Sequence, residues 1–174
     1  MSERLPIEET NLDRYGNPII PWPSVHDALT IPTGVDVPYY LGTVRPDGRP
    51  HVAGIGPGWY DGDFYLVMGL ETQKAKNLAA QPACTLAARL PGFDVTMEGV
   101  ATRVDDPATL EKVVKVFQTG GWPAEVEGDA FTAPYSAPSA GPPPWHVFRF
   151  TFNSVVALKL DENGGATRWR FAPA

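Results

Sequence analysis

Two Asp-Gly pairs and a glycine–proline–glycine run punctuate the β-prone stretch Tyr39–Leu78, YYLGTVRPDGRPHVAGIGPGWYDGDFYLVMGLETQKAKNL. Asp-Gly between apolar runs supplies the left-handed positions of a tight hairpin turn, so the stretch predicts three antiparallel strands: Tyr39 to Val44, His51 to about Tyr60, and Phe64 to Met68. Gly54, Gly56, Pro57 and Gly58 interrupt the second strand, which signals a bulge or the close approach of something flat. Thr72 is placed to cap a helix over Gln73 to Gln81, and Pro82 stops it. Ala75, Leu78 and Ala79 form its expected inner face. A run of hairpins suits a meander or barrel better than a parallel α/β fold.

The remaining elements follow from period and punctuation. A strand Ala83 to Arg89, a turn at Pro91-Gly92 and a long strand Asp94 to Val104 are expected, with Val95, Met97, Gly99 and Ala101 on one side. Asp106 caps and Pro107 opens a helix in which Leu110, Val113, Val114 and Phe117 share one face. It ends at Gly120-Gly121. Residues 122–144 lose periodicity and accumulate proline, which predicts a long loop, and Trp145 to Leu160 reads as the last long strand, kinked at Asn153-Ser154. Asn163 to Gly165 turn the chain into the terminal TRWRFAPA.

Residues 1–34 read as an N-terminal arm. Pro18, Pro21 and Pro23 exclude a regular helix or central strand up to residue 24, and Ser24 can cap a short helix over Val25 to Leu29. With no repeat and 174 residues, the expectation is one domain, mainly β with two or more helices. An antiparallel barrel of about six strands hides their edges.

Composition narrows the function. The formal net charge of -6 argues against a nucleic-acid binder, and the N-terminus lacks the order of a signal peptide. No apolar run nears the length of a membrane span, so a soluble, cytoplasmic protein is expected. Cys84, the single cysteine, lies in the apolar run PACTLAARL and reads as a buried thiol. There is no serine-hydrolase or zinc-protease motif, and His26, His51 and His146 lack metal-ligand spacing, so no metal site and no catalytic side chain is assigned. Any redox reactivity would have to come from a cofactor.

Thr72-Gln73-Lys74-Ala75-Lys76-Asn77 offers free amides, a hydroxyl cap and two cations at a helix start, a combination that attracts an anion. The order RPHVAGIG, Asp-Gly hairpin, TQKAKNL helix and terminal Arg168-Trp169-Arg170-Phe171 resembles the pyridoxamine 5'-phosphate oxidase-like flavin-binding split-barrel family over residues 35 to 171. That resemblance implies an antiparallel split β-barrel and a homodimer with two coenzyme sites at the subunit interface. It also implies a flavin- or deazaflavin-dependent oxidoreductase that passes a hydride to or from a small organic substrate, or else a non-catalytic flavin carrier. By the same resemblance His51, Val52 and Ala53 would line the ring, with Met68 near it. Thr72, Gln73 and Lys74 would hold the phosphate, and Arg168 and Trp169 would reach in from the partner chain. Gln73 stands where relatives often carry arginine, so FMN and the deazaflavin coenzyme F-420 both remain as cofactors. The terminal TRWRFAPA departs from the end of true pyridoxamine phosphate oxidases, which speaks against vitamin B6 oxidation. The Pro-rich segment 122–144 is expected to act as a flap on the substrate side.

Overall fold

The computed structural model describes residues 4–31 and 37–173; of the expected arm, residues 1–3 and 32–34 lie outside the described residues, as does Ala174. In chain order the first elements are β1 (Glu8–Asn11), α1 (Trp22–Thr30), β2 (Tyr39–Val44), β3 (Pro50–Ile55), β4 (Gly58–Tyr60), β5 (Asp63–Met68) and α2 (Gln73–Ala80). There follow β6 (Ala83–Leu90), β7 (Phe93–Val104), α3 (Pro107–Thr119), β8 (Glu125–Glu127), β9 (Ala130–Thr132), β10 (His146–Lys159) and β11 (Ala166–Arg170). The two Asp-Gly turns form as read: Gly48 has φ 83°, and Asp61 and Gly62 have φ 50° and 90°, the paired left-handed geometry of a tight hairpin.

Nine strands make one antiparallel sheet in the order β1-β11-β10-β7-β6-β2-β3, with β5 paired to β10 and β4 to β5. The expected three-strand meander is therefore corrected. β3 pairs with β2 and β4 with β5, and no ladder joins β3 to β4. Proline lacks the N–H that a ladder needs, so Gly56-Pro57 ends pairing and carries the chain from one lip of the sheet to the other. This gap is the split of a split barrel.

β10 holds the sheet together. Its first half pairs with β5, its second half with β11, and β7 runs along it from Val147 to Lys159. The register shifts between Phe152 and Ser154, at the predicted kink. Gly99 faces Phe152 there, and a β-carbon at Gly99 would overlap the Thr151 carbonyl oxygen and the Phe152 backbone. Phe150, Phe152, Val155 and Ala157 point into the barrel with Leu41, Phe64, Leu86 and Met97. A second core forms where Leu110, Val113 and Val114 of α3 pack on Tyr65, Phe131 and Val147.

Several other expectations change. The strand count is eleven among the described residues, because the sequence reading missed the short strands. The arm contributes β1, paired to β11, and packs on its own barrel: the Arg4 guanidinium donates to the carbonyls of Phe152 (2.7 Å) and Ala172 (3.0 Å) and lies 4.9 Å from the Phe152 ring centroid. α1 starts at Trp22 rather than near Ser24, since Pro23 occupies a first-turn position where a missing N–H costs nothing. Residues 122–144 are partly ordered into the β8–β9 hairpin. In α2 it is Lys74 and Asn77, not Ala79, that are buried with Ala75 and Leu78. The apolar side chains of Val147, Phe148, Phe150 and Phe152 are consumed by the protomer's own two cores and offer no outer surface.

Replacing Gly99 by alanine inserts a methyl group where no space exists, so Gly99→Ala should cost about 1–3 kcal/mol of stability. A urea midpoint that falls at an unchanged m-value is the expected result; an unaltered midpoint would show that the bulge tolerates a side chain.

Candidate functional site

The Asn77 side chain, fully buried, ties the start of α2 to the barrel. Its Nδ2 donates to Thr43 Oγ1 at 2.9 Å and its Oδ1 accepts from Gln73 Nε2 at 2.7 Å. Thr43 Oγ1 lies 3.4 Å from His51 Nδ1. A chain of polar contacts thus runs from β3 through β2 to the first turn of α2. Thr72 caps that turn: its hydroxyl donates to the Gly69 carbonyl at 2.7 Å and accepts from the Ala75 amide at 3.4 Å. The Gln73 and Lys74 amides lie ahead of the first helical hydrogen bonds and donate to no acceptor among the described residues.

Lys74 is the unusual member. It is 8% exposed and makes no hydrogen bond or ion pair among the described residues. Burial pulls its pKa below the usual lysine value, with no carboxylate to oppose the shift. Lys76, by contrast, is half-exposed and pairs with Glu71 at 2.9 Å. A lysine without a carboxylate partner, on the turn that also carries two free amides, is suited to a dianion such as a phosphate monoester.

The structure gathers His51, Thr72, Gln73 and Lys74, and adds Thr43 and Asn77, which the sequence reading did not name. The spacing Gln73 to Asn77 is the i,i+4 pair a helix brings together, so the signal was present. Other expected site residues separate. Strand alternation puts Val52 on the outer face, 64% exposed, while His51 and Ala53 face the opposite way. Met68 is a core residue, 1% exposed. Trp169 is fully buried in its own barrel, 5.5 Å from the Trp22 ring, with its indole N–H on Glu9 at 3.0 Å; packed in this way, it has no face to offer a ring held by a partner chain. Arg168 lies on the opposite face of β11, 3.5 Å from Thr10 Oγ1, with its buried Nε unpaired. Cys84 is buried and its thiol pKa is pushed up to about 12, so it is no nucleophile at neutral pH.

A cavity of about 540 Å³ opens between α1, β4, α3 and the Pro-rich segment. Trp59, Phe117, Trp122, Tyr135 and Trp145 contribute to its walls. It adjoins the anion-suited turn through Gly69, whose α-carbon is so close to the segment that an added β-carbon would sit 2.9 Å from the Ala140 carbonyl oxygen and 3.8 Å from Trp145. No group of three or more potential metal ligands occurs among the described residues. No described helix is long and apolar enough to cross a membrane.

The sequence profile of pyridoxamine 5'-phosphate oxidase matches residues 38–159. The chain belongs to this family. Solved structures show the family's split-barrel fold in relatives of low identity. One is a pyridoxamine 5'-phosphate oxidase-related, FMN-binding protein from Nostoc punctiforme: 19% identity over 85% of this chain and 89% of that one, TM-score 0.57. A conserved hypothetical protein from Mycobacterium tuberculosis is 22% identical over 81% and 86% of the two chains, TM-score 0.58. An F-420 reductase is 19% identical over 75% and 94%, TM-score 0.52. No curated protein matches the sequence.

Within this pyridoxamine 5'-phosphate oxidase family chain, Asn77 sets where the α2 turn sits. Asn77→Leu strands the Thr43 hydroxyl and frees Gln73, a loss of about 1–3 kcal/mol. Denaturant unfolding should show it; a neutral result would mean that water or repacking satisfies Thr43 and that the polar chain does not position the helix.

Proposed function

We propose that the protein is a flavin- or deazaflavin-dependent oxidoreductase whose coenzyme phosphate is held at the start of α2. The observation that carries this is Lys74, a largely buried residue with no counter-charge among the described residues, on the turn that leaves the Gln73 and Lys74 amides without acceptors, in a chain of this family. The residues present fit a phosphate: the Thr72 cap fixes the turn, the Gln73 and Lys74 amides can donate, and Lys74 supplies charge. His51 and Ala53 lie on the neighbouring strand face. The bound coenzyme would supply hydride transfer; the chain's own work is to hold the phosphate, orient the ring and exclude water.

Gln73 bears on which coenzyme. An arginine at this position could grip a terminal phosphate bidentately, whereas the glutamine amide is already engaged with Asn77. FMN remains the first reading, and F-420 is the second, favoured by that missing charge. Parallel titration with the two decides between them. A protein that binds either one but turns over no substrate would be a carrier.

In this reading a second copy of the chain packs next to the site. Tyr40, Val44 and Val52 are 50%, 40% and 64% exposed and share the outer face of β2 and β3, beside the strand that carries His51. Two-fold pairing through such a face covers it on both copies at once. Sedimentation at micromolar concentration should give twice the chain mass of 18.9 kDa, and Val52→Glu should shift the mass to that of one chain. A wild-type protein that sediments as a monomer would remove the partner from the account.

Lys74→Ala should weaken coenzyme binding about 10- to 100-fold, the range of one charge-assisted contact. Lys76→Ala should leave it within about twofold, because that ammonium is already paired on the surface. Since burial lowers the Lys74 pKa, the ammonium loses its proton at a pH below the usual lysine value, and coenzyme affinity should fall there as pH rises. The apoprotein should move oppositely. Between that lowered pKa and the unfolded value the unfolded state binds more protons, so Lys74 contributes a stability that rises with pH. Equal losses at both lysines, or none at Lys74, would place the phosphate elsewhere.

A further inference from the structure

The 540 Å³ cavity has a chemistry of its own. Its size is that of a small-molecule site. Among the described residues that line it there is no aspartate, glutamate, lysine, arginine or histidine. An ionised ligand would lose its hydration there without gaining a counter-charge, which is costly. Several of the lining side chains are aromatic, and flat rings pack best on flat rings.

The indole N–H groups sharpen this. Of the five tryptophans, Trp22 donates to the Arg4 carbonyl at 3.2 Å, Trp145 to the Gly141 carbonyl at 3.3 Å and Trp169 to Glu9 at 3.0 Å. Trp59 and Trp122 donate to no acceptor among the described residues, and both line the cavity. The two threonines of the lining spend their hydroxyl protons within their own helices, Thr30 on the Asp27 carbonyl at 2.9 Å and Thr119 on the Lys115 carbonyl at 2.8 Å. The side-chain N–H donors of the lining left without a protein acceptor are therefore indoles, with the Tyr135 hydroxyl beside them, and an acceptor on the ligand can take the place of water at these groups.

We infer that this cavity binds a neutral, planar aromatic molecule bearing a carbonyl-type acceptor, and that this is the substrate class of the enzyme. Naming the ligand a substrate rests on the coenzyme reading above; the binding preference does not. The Pro-rich segment supplies Tyr135, Ala137 and Ala140 to the wall, so it shapes the cavity.

Equilibrium dialysis of the full chain against 2-naphthamide and 2-naphthoate, which share one shape and differ in charge, tests the inference. The amide should bind saturably and the carboxylate at least about tenfold more weakly. Trp122→Phe keeps a ring and removes a donor, and should cost the amide about three- to tenfold. Ala137→Trp should block binding by filling the cavity, while Lys74→Ala should leave it unchanged. Equal binding of amide and carboxylate, or no effect of Ala137→Trp, overturns the ligand class. Loaded with coenzyme, the protein should still take up 2-naphthamide; mutual exclusion would make the cavity the coenzyme's own ring site and overturn the substrate assignment. Failure of FMN and F-420 to bind, with the naphthamide pattern intact, would remove the coenzyme reading alone and leave the cavity's ligand class standing.

Discussion

The backbone contact between Gly99 and Thr151–Phe152, at the register shift of β10, is the constraint on which the architecture rests. A strand that must pair with β5 at one end and β11 at the other cannot stay straight, because its two neighbours on that side point to different parts of the barrel. The register shift at Asn153 provides the bend, and the Asn153 carbonyl is satisfied by the Phe171 amide at 2.9 Å. Glycine is required opposite because the partner backbone comes too close for a β-carbon. From this bend follow the inward row Phe150, Phe152, Val155 and the docking of Arg4 on the Phe152 carbonyl and ring.

The site inherits its position from the opposite feature, the gap between β3 and β4. Where the ladder stops at Gly56-Pro57, the sheet is left open between β3 and β4. α2 packs beside β2 and β3, held by Asn77, Thr43 and Gln73 rather than by apolar contact alone. The aromatic cavity begins on the far side of the gap, with Gly56, Pro57 and Gly58 in its wall. The anion-suited helix start and the uncharged aromatic chamber meet at Gly69, whose carbonyl accepts from Thr72 and whose other side abuts Ala140 and Trp145. In the reading proposed above, the first holds the coenzyme phosphate and the second takes the substrate.

Much of the fold was legible because the signals were local. Asp47-Gly48 and Asp61-Gly62 forced their turns, Asp106-Pro107 opened α3, and alternation along Phe93–Val104 separated core from surface. What escaped depended on contacts distant in sequence. β1 exists because β11 offers it an edge, and the β8–β9 hairpin is bridged to Trp145 rather than announced by its own composition. The site shows the same division. Thr72, Gln73 and Lys74 could be read from one helix start, but Thr43 joins them only through a 34-residue separation. Trp169 misled for the same reason: a terminal aromatic looks available until Trp22 and Phe171 close around the barrel end.

The central claim is that the first turn of α2 receives an anion at Lys74. Amide chemical shifts of the nitrogen-15-labelled protein, followed during titration with inorganic phosphate and then with FMN or F-420, test it most directly. The account predicts saturable shifts at the Gln73 and Lys74 amides with both phosphate and coenzyme, a weaker response at Lys76, and loss of the Gln73 response in Lys74→Ala. Saturable shifts centred elsewhere, with the α2 turn silent, would contradict it.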